Sequence, residues 1–344
     1  MATVNRQWKV ARHPQPGELI NRDHFEWHES AIPGINNGEF LVHNEYLTPI
    51  PAQRGYLDAN QSALLGEPIP AGEVMRGRGI GQVIESRHPN YQQGDVFVGS
   101  LGWQDFSVHK PAEQGFVFST TKIEKPRQPL SLHMGILGQA GGTAYCGLTE
   151  GGGIKPGDNV LISAAAGGVG SCAGQIARLL GANTVVGITG SHDKSRWLVD
   201  TLGYTAAINH QTDRLDEKLA ELFPDGIDLY LDGIGGEMLN TALNHLAMNA
   251  RISVLGYLST QYEETNPTLL TNHHQLLFKR ASMQGCIYFD YWNRYQSIEK
   301  QLCEWFDSGE LINTEYLTKG LENMPSALAD LFTGGNQGIA VCSI

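Results

Sequence analysis

The hydrophobic positions of the first 130 residues come in short runs separated by turn residues. The runs have the length and alternation of β-strands, and the segments between them are rich in residues that favour turns. Three of the runs are EFLVHNEYL, GIGQVIES and DVFVGS, and two of the turn segments are NNGE and HPNYQQGD. The pattern predicts a β-rich domain with a barrel-like sheet.

From about residue 133 the pattern changes. HMGILGQAGGTAYCGLTEGG is predicted to be a helix that ends at glycines. Apolar runs then alternate with amphipathic segments of helical period. The runs are DNVLISA, TVVGI, IDLYLD and RISVLG, and the helical segments are GGVGSCAGQIARLLG, DKSRWLVDTLG and GEMLNTALNHLAM. Strands that alternate with helices form βαβ units around a parallel sheet. A second domain, of the α/β class, is therefore predicted.

The end of the chain predicts one more helix, SIEKQLCEWFDSG, and a final strand in GIAVCSI. Because a β-rich segment precedes the α/β region and a strand follows it, we expect the tail to return to the first domain. The first domain is accordingly placed at residues 1–132 and 311–344, and the second at residues 133–310.

Length and charge narrow the possible functions. The chain has 344 residues, enough for two domains with sizeable cores. Its 24 lysines and arginines are outnumbered by 36 aspartates and glutamates, which gives a net charge of −12 at pH 7. Nucleic acid and anionic membrane surfaces would be repelled, so neither is expected as a partner. The chain has no long apolar run and no signal peptide core, so we expect a cytoplasmic protein.

The five cysteines form no C-x-x-C pair; they are Cys146, Cys172, Cys286, Cys303 and Cys342. Their odd number and their spacing argue against a disulfide framework and against a zinc knuckle. We expect buried, reduced thiols at these positions.

A turn of small residues joins the first strand of the α/β region to a helix, in LISAAAGGVGSCAGQIARLLG. Ala165, Gly167 and Gly170 have the spacing of the dinucleotide fingerprint, with alanine in the place of the first glycine. Small residues let the backbone approach a pyrophosphate, and the helix presents its free N–H groups to that anion. The turn, including Gly168 and Val169, is therefore predicted to bind a dinucleotide.

The end of the next strand distinguishes the two nicotinamide cofactors. About twenty residues after the fingerprint, an NAD-binding protein has a carboxylate that bonds the ribose 2′-hydroxyl. Counting from Gly170 leads instead to Gly190, and Ser191, Lys194 and Arg196 follow. These residues would hold a 2′-phosphate through charge-assisted hydrogen bonds. The sequence therefore predicts NADPH/NADP+ as the cofactor.

Metal ligands and other catalytic motifs are scarce. His24 and His28 stand four residues apart but without the H-E-x-x-H order, and His273 and His274 are adjacent. All four histidines are interpreted as surface residues, and no metal site is predicted. The chain lacks a C-x-x-C-x-x-C lobe, a Tyr-x-x-x-Lys pair and a Gly-x-Ser-x-Gly motif. Their absence argues against zinc alcohol dehydrogenase, short-chain dehydrogenase and serine hydrolase chemistry.

A family resemblance is carried by five stretches: SRHPNYQQGDVFVGSLGWQDF, GGTAYCGL, AAAGGVGSCAGQIARLLG, GSHDK and GLENMP. From about residue 6 to the C-terminus the chain resembles the zinc-independent medium-chain dehydrogenase/reductases, and within them the prostaglandin reductase and curcumin reductase branch. The resemblance implies an α/β fold, a Rossmann doubly wound parallel sheet plus a GroES-like β-barrel domain, and commonly a homodimer. The implied activity is NADPH-dependent reduction of the C=C double bond of an α,β-unsaturated ketone or aldehyde.

The resemblance also implies contacts to the cofactor at particular positions. Lys194 matches the lysine that holds the 2′-phosphate, and Thr143 matches the threonine beside the nicotinamide. Asn336 matches an asparagine near the end of the chain that contacts the cofactor. Tyr291 falls in a stretch matching one in which the family places a tyrosine near the nicotinamide ribose.

Other positions depart from the family pattern. His210 replaces a tyrosine that helps hold the 2′-phosphate, and Gly233 replaces an asparagine after the strand IDLYLD. The segment 50–56 has lost a tyrosine that lines the substrate pocket, and residues 138–141 are Gly-Gln-Ala-Gly in place of Gly-Met-Pro-Gly. The cofactor site is thus expected to be mostly retained, whereas the substrate wall differs.

The reaction requires little acid catalysis. Hydride addition to the β-carbon of an enone moves negative charge onto the carbonyl oxygen, at which the protein must aim hydrogen-bond donors. Tyr262 and Tyr291 are the candidate donors, and the α-carbon can take its proton from solvent or from a tyrosine. Gly256, with Tyr257 and Ser259, lies just beyond the carboxyl end of a strand, where open α/β sheets bind ligands.

Two alternatives remain open at this point. A quinone or another redox acceptor could take the hydride in place of an enone. The chain could also be a non-enzymatic dinucleotide-binding protein, because a fold alone does not ensure turnover.

Overall fold

The computed structural model describes residues 4–15, 17–58, 67–110, 121–258 and 269–344. The contacts between Cα atoms divide the chain into two compact units. The N-terminal unit consists of Met1–Gly135, Glu315–Asn336 and Ala340–Ile344, and the central unit consists of Ile136–Thr314 and Gln337–Ile339.

The first part of the N-terminal unit is made of strands. Their bounds are β1 (Asn5–Val10), β2 (Phe25–Ser30), β3 (Phe40–Thr48), β4 (Arg78–Ser86), β5 (Val96–Ser100), β6 (Phe106–His109) and β7 (Thr121–Lys122). β1 and β2 form an antiparallel pair in which Trp8 lies opposite Trp27. The strands predicted from EFLVHNEYL, GIGQVIES and DVFVGS are confirmed as β3, β4 and β5.

In the central unit, strands and helices alternate along the chain. The strands are β8 (Asn159–Ile162), β9 (Thr184–Thr189), β10 (Ala206–Asn209), β11 (Ile227–Asp232), β12 (Leu246–Val254) and β13 (Ser282–Gly285). The helices are α1 (Gln139–Cys146), α2 (Gly168–Leu179), α3 (His192–Asp200), α4 (Leu215–Leu222), α5 (Gly236–Ala242), α6 (Gln275–Lys279) and α7 (Tyr295–Asp307). The predicted βαβ alternation is confirmed.

The chain ends with β14 (Glu315–Lys319), α8 (Met324–Thr333) and β15 (Ile339–Ser343). β15 pairs antiparallel with β3, so that Cys342 lies opposite Leu47. Within the described residues, the main sheet of the N-terminal unit has the order β14-β15-β3-β4-β5-β7, and β6 also pairs with β3. The prediction of a final strand that returns to the first sheet is confirmed.

Aromatic side chains fill the core of the N-terminal unit. Trp8, Phe40, Phe97 and Trp103 are almost completely buried, and the rings of Phe40 and Phe97 pack edge to face with their centroids 4.9 Å apart. The indole N–H of Trp8 donates a hydrogen bond of 2.8 Å to the carbonyl oxygen of Leu321. This bond ties β1 to the C-terminal segment of the chain.

The sheet of the central unit is parallel, with the order β10-β9-β8-β11-β12-β13 in the described residues. The strands β8, β9, β11 and β12 are rich in apolar residues, and Leu161, Val186, Tyr230 and Ile252 on them are fully buried. The strand order reverses where β8 pairs with β9 on one side and with β11 on the other. The crevice at the carboxyl ends of these strands is where sheets of this kind bind ligands.

Two predicted helix boundaries are wrong. The pattern predicts a helix through Met248, but α5 ends at Ala242 and β12 begins at Leu246. Leu246 pairs with Ile227 of β11, and this long-range pairing is absent from the local pattern. The helix predicted over residues 133–152 begins only at Gln139. The short elements β10, α4 and β13 were not predicted at all.

The interpretation of His24 as a surface residue is also wrong. Its side chain is completely buried, whereas those of the other three histidines singled out in the sequence are exposed. Asn21 caps a 3-10 turn over Arg22–His24, and Nδ1 of His24 accepts a hydrogen bond from the N–H of Asn21 at 3.2 Å. The turn directs the imidazole inward, 3.5 Å from the carboxylate of Glu18.

Candidate cofactor and active site

The turn after β8 brings the small residues of the fingerprint together. Ala164 has a φ of +47°, in the left-handed region, and the N–H of Gly167 donates to its carbonyl oxygen at 2.9 Å. Gly167 is the N-cap residue, and α2 begins at Gly168. The first N–H groups of a helix have no partner within it, so this end of α2 can receive an anion. Gly167, Gly168 and Val169 are only half-buried.

Gly170 allows α2 to begin directly against this turn. A Cβ atom on Gly170 would lie 2.5 Å from the carbonyl oxygen of Ala164. One turn later, a Cβ atom on Gly174 would lie 2.0 Å from the ring of Tyr204, whose hydroxyl donates to the carbonyl oxygen of Gly170 at 2.6 Å. Burial raises the pKa of Tyr204 above its ordinary value, so this phenol remains a neutral donor. The fingerprint spacing therefore lets helix, turn and sheet pack closely.

A capped helix start forms at the end of β9. The strand ends at Thr189, and after Gly190 the hydroxyl of Ser191 accepts a hydrogen bond from the N–H of Lys194 at 3.2 Å. The hydroxyls of Thr189 and Ser195 share a hydrogen bond of 2.8 Å. These bonds fix the first turn of α3, where Ser191, Lys194 and the helix dipole can meet an anion.

Lys194 and His210 belong to the same end of the sheet. Lys194 is half-buried, and this burial lowers its pKa. His210 follows β10, and its N–H donates to the carbonyl oxygen of Thr189 at 3.0 Å. A Cβ atom on Gly190 would lie 3.5 Å from Nε2 of His210. Partial burial lowers the pKa of His210 as well, and an anion beside either group would favour its charged form.

Arg196 lies on the exposed side of α3. Its guanidinium forms an ion pair with Asp193 at 2.5 Å, and the two side chains are 75% and 83% exposed. An exposed pair of this kind contributes little to stability. Arg196 would have to leave Asp193 to bond a phosphate.

The loops after β11 and β12 approach each other closely. A Cβ atom on Gly256 would lie 2.9 Å from the carbonyl oxygen of Gly233. The N–H of Leu258 donates to the same oxygen at 3.4 Å. Gly256 and Gly233 thus lie side by side at the carboxyl edge of the sheet.

Thr143 and Tyr291 lie on two segments that pack together. Thr143 is half-buried on α1, and Tyr291 belongs to the 3-10 segment Tyr288–Arg294. A Cβ atom on Gly142 would lie 2.4 Å from the ring of Tyr288. The absence of a side chain at Gly142 therefore lets the segment of Tyr291 lie directly against the helix of Thr143.

The Tyr291 phenol lies near the thiol of Cys286, and each group influences the pKa of the other. Cys286 follows β13, and its N–H donates to the carbonyl oxygen of Val254 at 3.0 Å. Burial raises the pKa of both the thiol and the phenol. Tyr291 is therefore a neutral phenol, which can donate a hydrogen bond.

All five cysteines are free and buried, as predicted. Burial raises the pKa of Cys146 and of Cys172 to about 12. Thiols in such surroundings stay protonated and are poor nucleophiles.

Tyr262 and Ser259 lie outside the described residues. Asn336 is buried in the N-terminal unit and immediately precedes the short segment Gln337–Ile339 of the central unit.

Two residues at the same edge were not predicted. The hydroxyl of Ser163 and the carboxylate of Asp232 are hydrogen-bonded at 3.2 Å, at the ends of β8 and β11. In the sequence, each of them is a polar residue directly at the end of an apolar run: Ser163 ends LIS, and Asp232 ends LYLD. This pattern could have identified them.

Metal-ligand geometry is absent from the described ranges: no group of three or more His, Cys, Asp and Glu side chains there could hold a metal ion. None of the helices in the described part of the chain has both the length and the apolar character that crossing a membrane requires.

Known proteins match the chain along most of its length. Residues 6–117 match a family described as the N-terminal domain of oxidoreductases, and residues 168–306 match one described as zinc-binding dehydrogenases. An NADPH-dependent curcumin reductase of Escherichia coli is 33% identical over 349 residues, which cover 99% of this chain and 97% of that protein. The chain belongs to the medium-chain dehydrogenase/reductases, in the prostaglandin reductase and curcumin reductase branch. The predicted family is confirmed.

Two further members of this branch support the assignment. An NADP+-dependent 2-alkenal reductase of Nicotiana tabacum is 35% identical, covering 91% of this chain and 89% of that protein. The crystal structure of CurA from Vibrio vulnificus in complex with NADPH is 33% identical, with a TM-score of 0.89 and 98% of both chains covered. The predicted α/β fold of medium-chain dehydrogenase/reductases is thereby confirmed.

Proposed function

We propose that this protein is an NADPH-dependent reductase that adds a hydride to the C=C double bond of an α,β-unsaturated ketone or aldehyde. One observation carries the proposal. The dinucleotide turn and the cationic end of β9 are retained in a chain that matches a curcumin reductase and a 2-alkenal reductase over nearly its whole length. Curcumin and 2-alkenals share a double bond conjugated to a carbonyl group, which is the substrate class proposed here.

The residues of the phosphate turn fit a pyrophosphate. Beside Gly167, a Cβ atom would meet only the carbonyl oxygen of Ala164, at 3.2 Å, and beside Gly168 only Ile339, at 3.6 Å. Among the described residues, the space in front of the helix N-terminus is therefore open. Val169 lies in the first turn of α2, and Gly170 lets this turn pack against Ala164 and Ala165.

The end of β9 fits a 2′-phosphate. Ser191, Lys194 and His210 offer hydrogen-bond donors within one small region, and Arg196 can join them when it leaves Asp193. Each hydrogen bond to a charged group is worth about 1.5–3 kcal/mol. One or two of them favour NADPH over NADH by roughly ten- to a hundredfold or more.

The remaining cofactor contacts are proposed from the positions of the residues in the sequence and in the fold. Thr143 is assigned to the nicotinamide side, Gly256 to the edge between β11 and β12, and Asn336 to the part of the cofactor reached by the C-terminal segment. Gly233 departs from the family pattern. Because it has no side chain, it contributes only backbone atoms to that edge.

When bound, NADPH supplies the hydride that reaches the β-carbon of the substrate. The protein holds the enone in place and stabilises the negative charge on its carbonyl oxygen with hydrogen-bond donors. Tyr291, whose raised pKa keeps it neutral, and Tyr262 are the proposed donors. The α-carbon takes its proton from solvent or from one of these tyrosines.

The reaction is proposed to be metal-independent. The sequence has no C-x-x-C-x-x-C lobe, and the hydrogen-bond donors named above can polarise the carbonyl group in place of a Lewis acid. A cytoplasmic location is proposed as well, because free thiols persist in a reducing compartment. The proposed substrate domain is 1–132 with 311–344, and the proposed cofactor domain is 133–310.

A homodimer is proposed to form at the edge of the central sheet. Among the described strands, β13 lies at that edge, and its residues are exposed along the whole strand. Leu277 and Phe278, on α6, are 75% and 60% exposed. A second copy related by a two-fold axis would pair β13 with β13 and cover these apolar side chains. Light scattering by the purified protein measures the oligomeric state directly.

One assay tests the proposed reaction. NADPH oxidation is followed with a simple alkenone and with a benzoquinone, and mass spectrometry of the product locates the added hydrogens. The proposal predicts a saturated ketone from the alkenone. Turnover with the quinone alone supports a quinone reductase, and tight NADPH binding without oxidation by any enone supports a non-catalytic protein.

A further inference from the structure

Asp232 is the centre of a buried polar network at the end of β11. Its side chain is completely buried. Its Oδ1 atom accepts hydrogen bonds from the hydroxyl of Tyr230 at 2.9 Å and from the N–H groups of Ile234 and Gly235 at 3.1 and 3.0 Å. A buried carboxylate is costly unless it is hydrogen-bonded. These donors hold the turn after β11 around the carboxylate.

Ser163 connects this network to the dinucleotide turn. Its hydroxyl donates to Oδ1 of Asp232 at 3.2 Å and accepts from the N–H of Gly233 at 2.9 Å. Its own N–H donates to the carbonyl oxygen of Leu231 at 3.1 Å. The next residue, Ala164, has the positive φ with which the phosphate turn begins. One hydroxyl group therefore contacts the ends of both strands.

We propose that Ser163 and Asp232 are positioning residues. Their hydrogen bond, which we call the Ser163–Asp232 bridge, holds the turns after β8 and β11 at the spacing required by the cofactor. The inference rests on the proposed function in one respect: the ligand is a nicotinamide dinucleotide. The bridge itself touches only the protein.

The position of the bridge in the sheet supports this role. It spans β8 and β11, the two strands between which the strand order reverses, and ligands of such sheets cross the crevice at that reversal. Without the bridge, the N–H of Gly233 loses its acceptor and the turn is free to shift. Part of the binding energy of the dinucleotide would then be used to order the two turns.

The same two strands provide a matched control at their opposite ends. The carboxylate of Asp228 accepts a hydrogen bond of 2.9 Å from the N–H of Asn159, which joins the amino ends of β8 and β11. Ser163→Ala and Asp228→Ala therefore each remove a side-chain link between the same strands. Only the first link lies at the ligand-binding edge.

The experiment compares wild type, Ser163→Ala, Ser163→Thr and Asp228→Ala. Dissociation constants for NADPH and NADH are measured by fluorescence titration, and thermal unfolding is measured in parallel. We expect Ser163→Ala to weaken both cofactors by the same factor, about tenfold, because it removes a hydrogen bond or two. Ser163→Thr, which retains the hydroxyl, should restore most of the affinity, and Asp228→Ala should leave it unchanged.

The outcomes are distinct. If Ser163→Ala binds both cofactors as wild type does, or if Asp228→Ala weakens them equally, the bridge is merely structural and the proposal is overturned. If Ser163→Ala does not fold, Ser163→Cys keeps the volume but forms weaker hydrogen bonds, and the same loss of affinity is expected. If wild type itself binds neither cofactor, the proposed function fails, and the bridge loses its role with it.

Discussion

Ser191 accepts a hydrogen bond from the backbone N–H of Lys194 at 3.2 Å, at the first residues beyond β9. The cap fixes the backbone from which the Lys194 side chain extends, and it leaves the first turn of α3 open toward the end of the strand. A 2′-phosphate at this place would meet both the ammonium group and the positive end of the helix dipole. This arrangement underlies the cofactor preference proposed above.

Lys194→Ala should weaken NADPH binding by roughly tenfold, because a hydrogen bond to a charged group is lost. NADH binding should remain nearly unchanged, since NADH has no phosphate at this position. Titrations with both cofactors measure the difference. Lys218→Ala is the control, because Lys218 pairs with Glu221 on the exposed face of α4. Equal effects of Lys194→Ala on both cofactors would refute the 2′-phosphate assignment.

Gly168→Ala and Gly170→Ala should behave differently. A Cβ atom at Gly168 meets only ordinary contacts, so this variant should fold as well as wild type, yet lose NADPH affinity because the methyl group occupies the pyrophosphate position. A Cβ atom at Gly170 would lie 2.5 Å from Ala164, so that variant should be destabilised as well. Thermal unfolding and titration separate the two effects. Unchanged NADPH affinity in a folded Gly168→Ala protein contradicts the proposed phosphate site.

Tyr291→Phe should lower kcat by about tenfold or more and leave the affinity for NADPH unchanged, because it removes a donor to the developing oxyanion. Steady-state kinetics with an alkenone measure kcat, and Tyr316→Phe, on β14, is the control. If kcat does not change in Tyr291→Phe but falls in Tyr262→Phe, the donor is Tyr262 and the role of Tyr291 is wrong.

A chelator should leave the activity unchanged. In the proposed mechanism, hydrogen-bond donors polarise the carbonyl group. Removal of metal ions should therefore not impair the active site. Activity is measured after prolonged incubation with the chelator and dialysis. Strong inhibition that is reversed by added zinc would contradict the metal-independent mechanism.

His109 should make the N-terminal unit sensitive to acid. It is buried beside Phe40 and Phe97 and hydrogen-bonded to Ser107, and burial lowers its pKa from 6.5 to about 3. Below pH 6.5 the unfolded chain binds a proton that the folded chain does not. Stability is therefore fully present above this pH and falls as the pH decreases toward 3, by up to about 1.4 kcal/mol per pH unit.

His109→Gln should flatten the decrease in the free energy of unfolding below pH 6.5. Denaturant titrations at several pH values measure this slope. His28→Gln, at an exposed position, should keep the slope of wild type. If both variants retain it, the acid sensitivity comes from other groups.

The sequence predicted those parts of the fold that depend on neighbouring residues. The fingerprint from Ala165 to Gly170 and the replacement of a carboxylate by Gly190 and Ser191 are local, because spacing along one strand, turn and helix decides them. The apolar runs of β8, β9 and β11 are equally local, since a parallel sheet buries both faces of its strands.

Features that depend on distant pairing could not be predicted in this way. The start of β12 depends on Ile227, nineteen residues earlier, which pairs with Leu246. The contact between Ser163 and Asp232 joins residues 69 positions apart, and the burial of His24 follows from a turn whose direction the pattern does not encode. Tyr291 was identified only through the resemblance, and its proximity to Cys286 depends on the folded chain.

Titration of the purified protein with NADPH and NADH at low salt tests the central claim most directly. Cofactor fluorescence and the shift in unfolding temperature are the two signals. The account predicts that NADPH binds, stabilises the fold, and binds at least roughly tenfold more tightly than NADH. No fluorescence change and no thermal stabilisation with NADPH would contradict it.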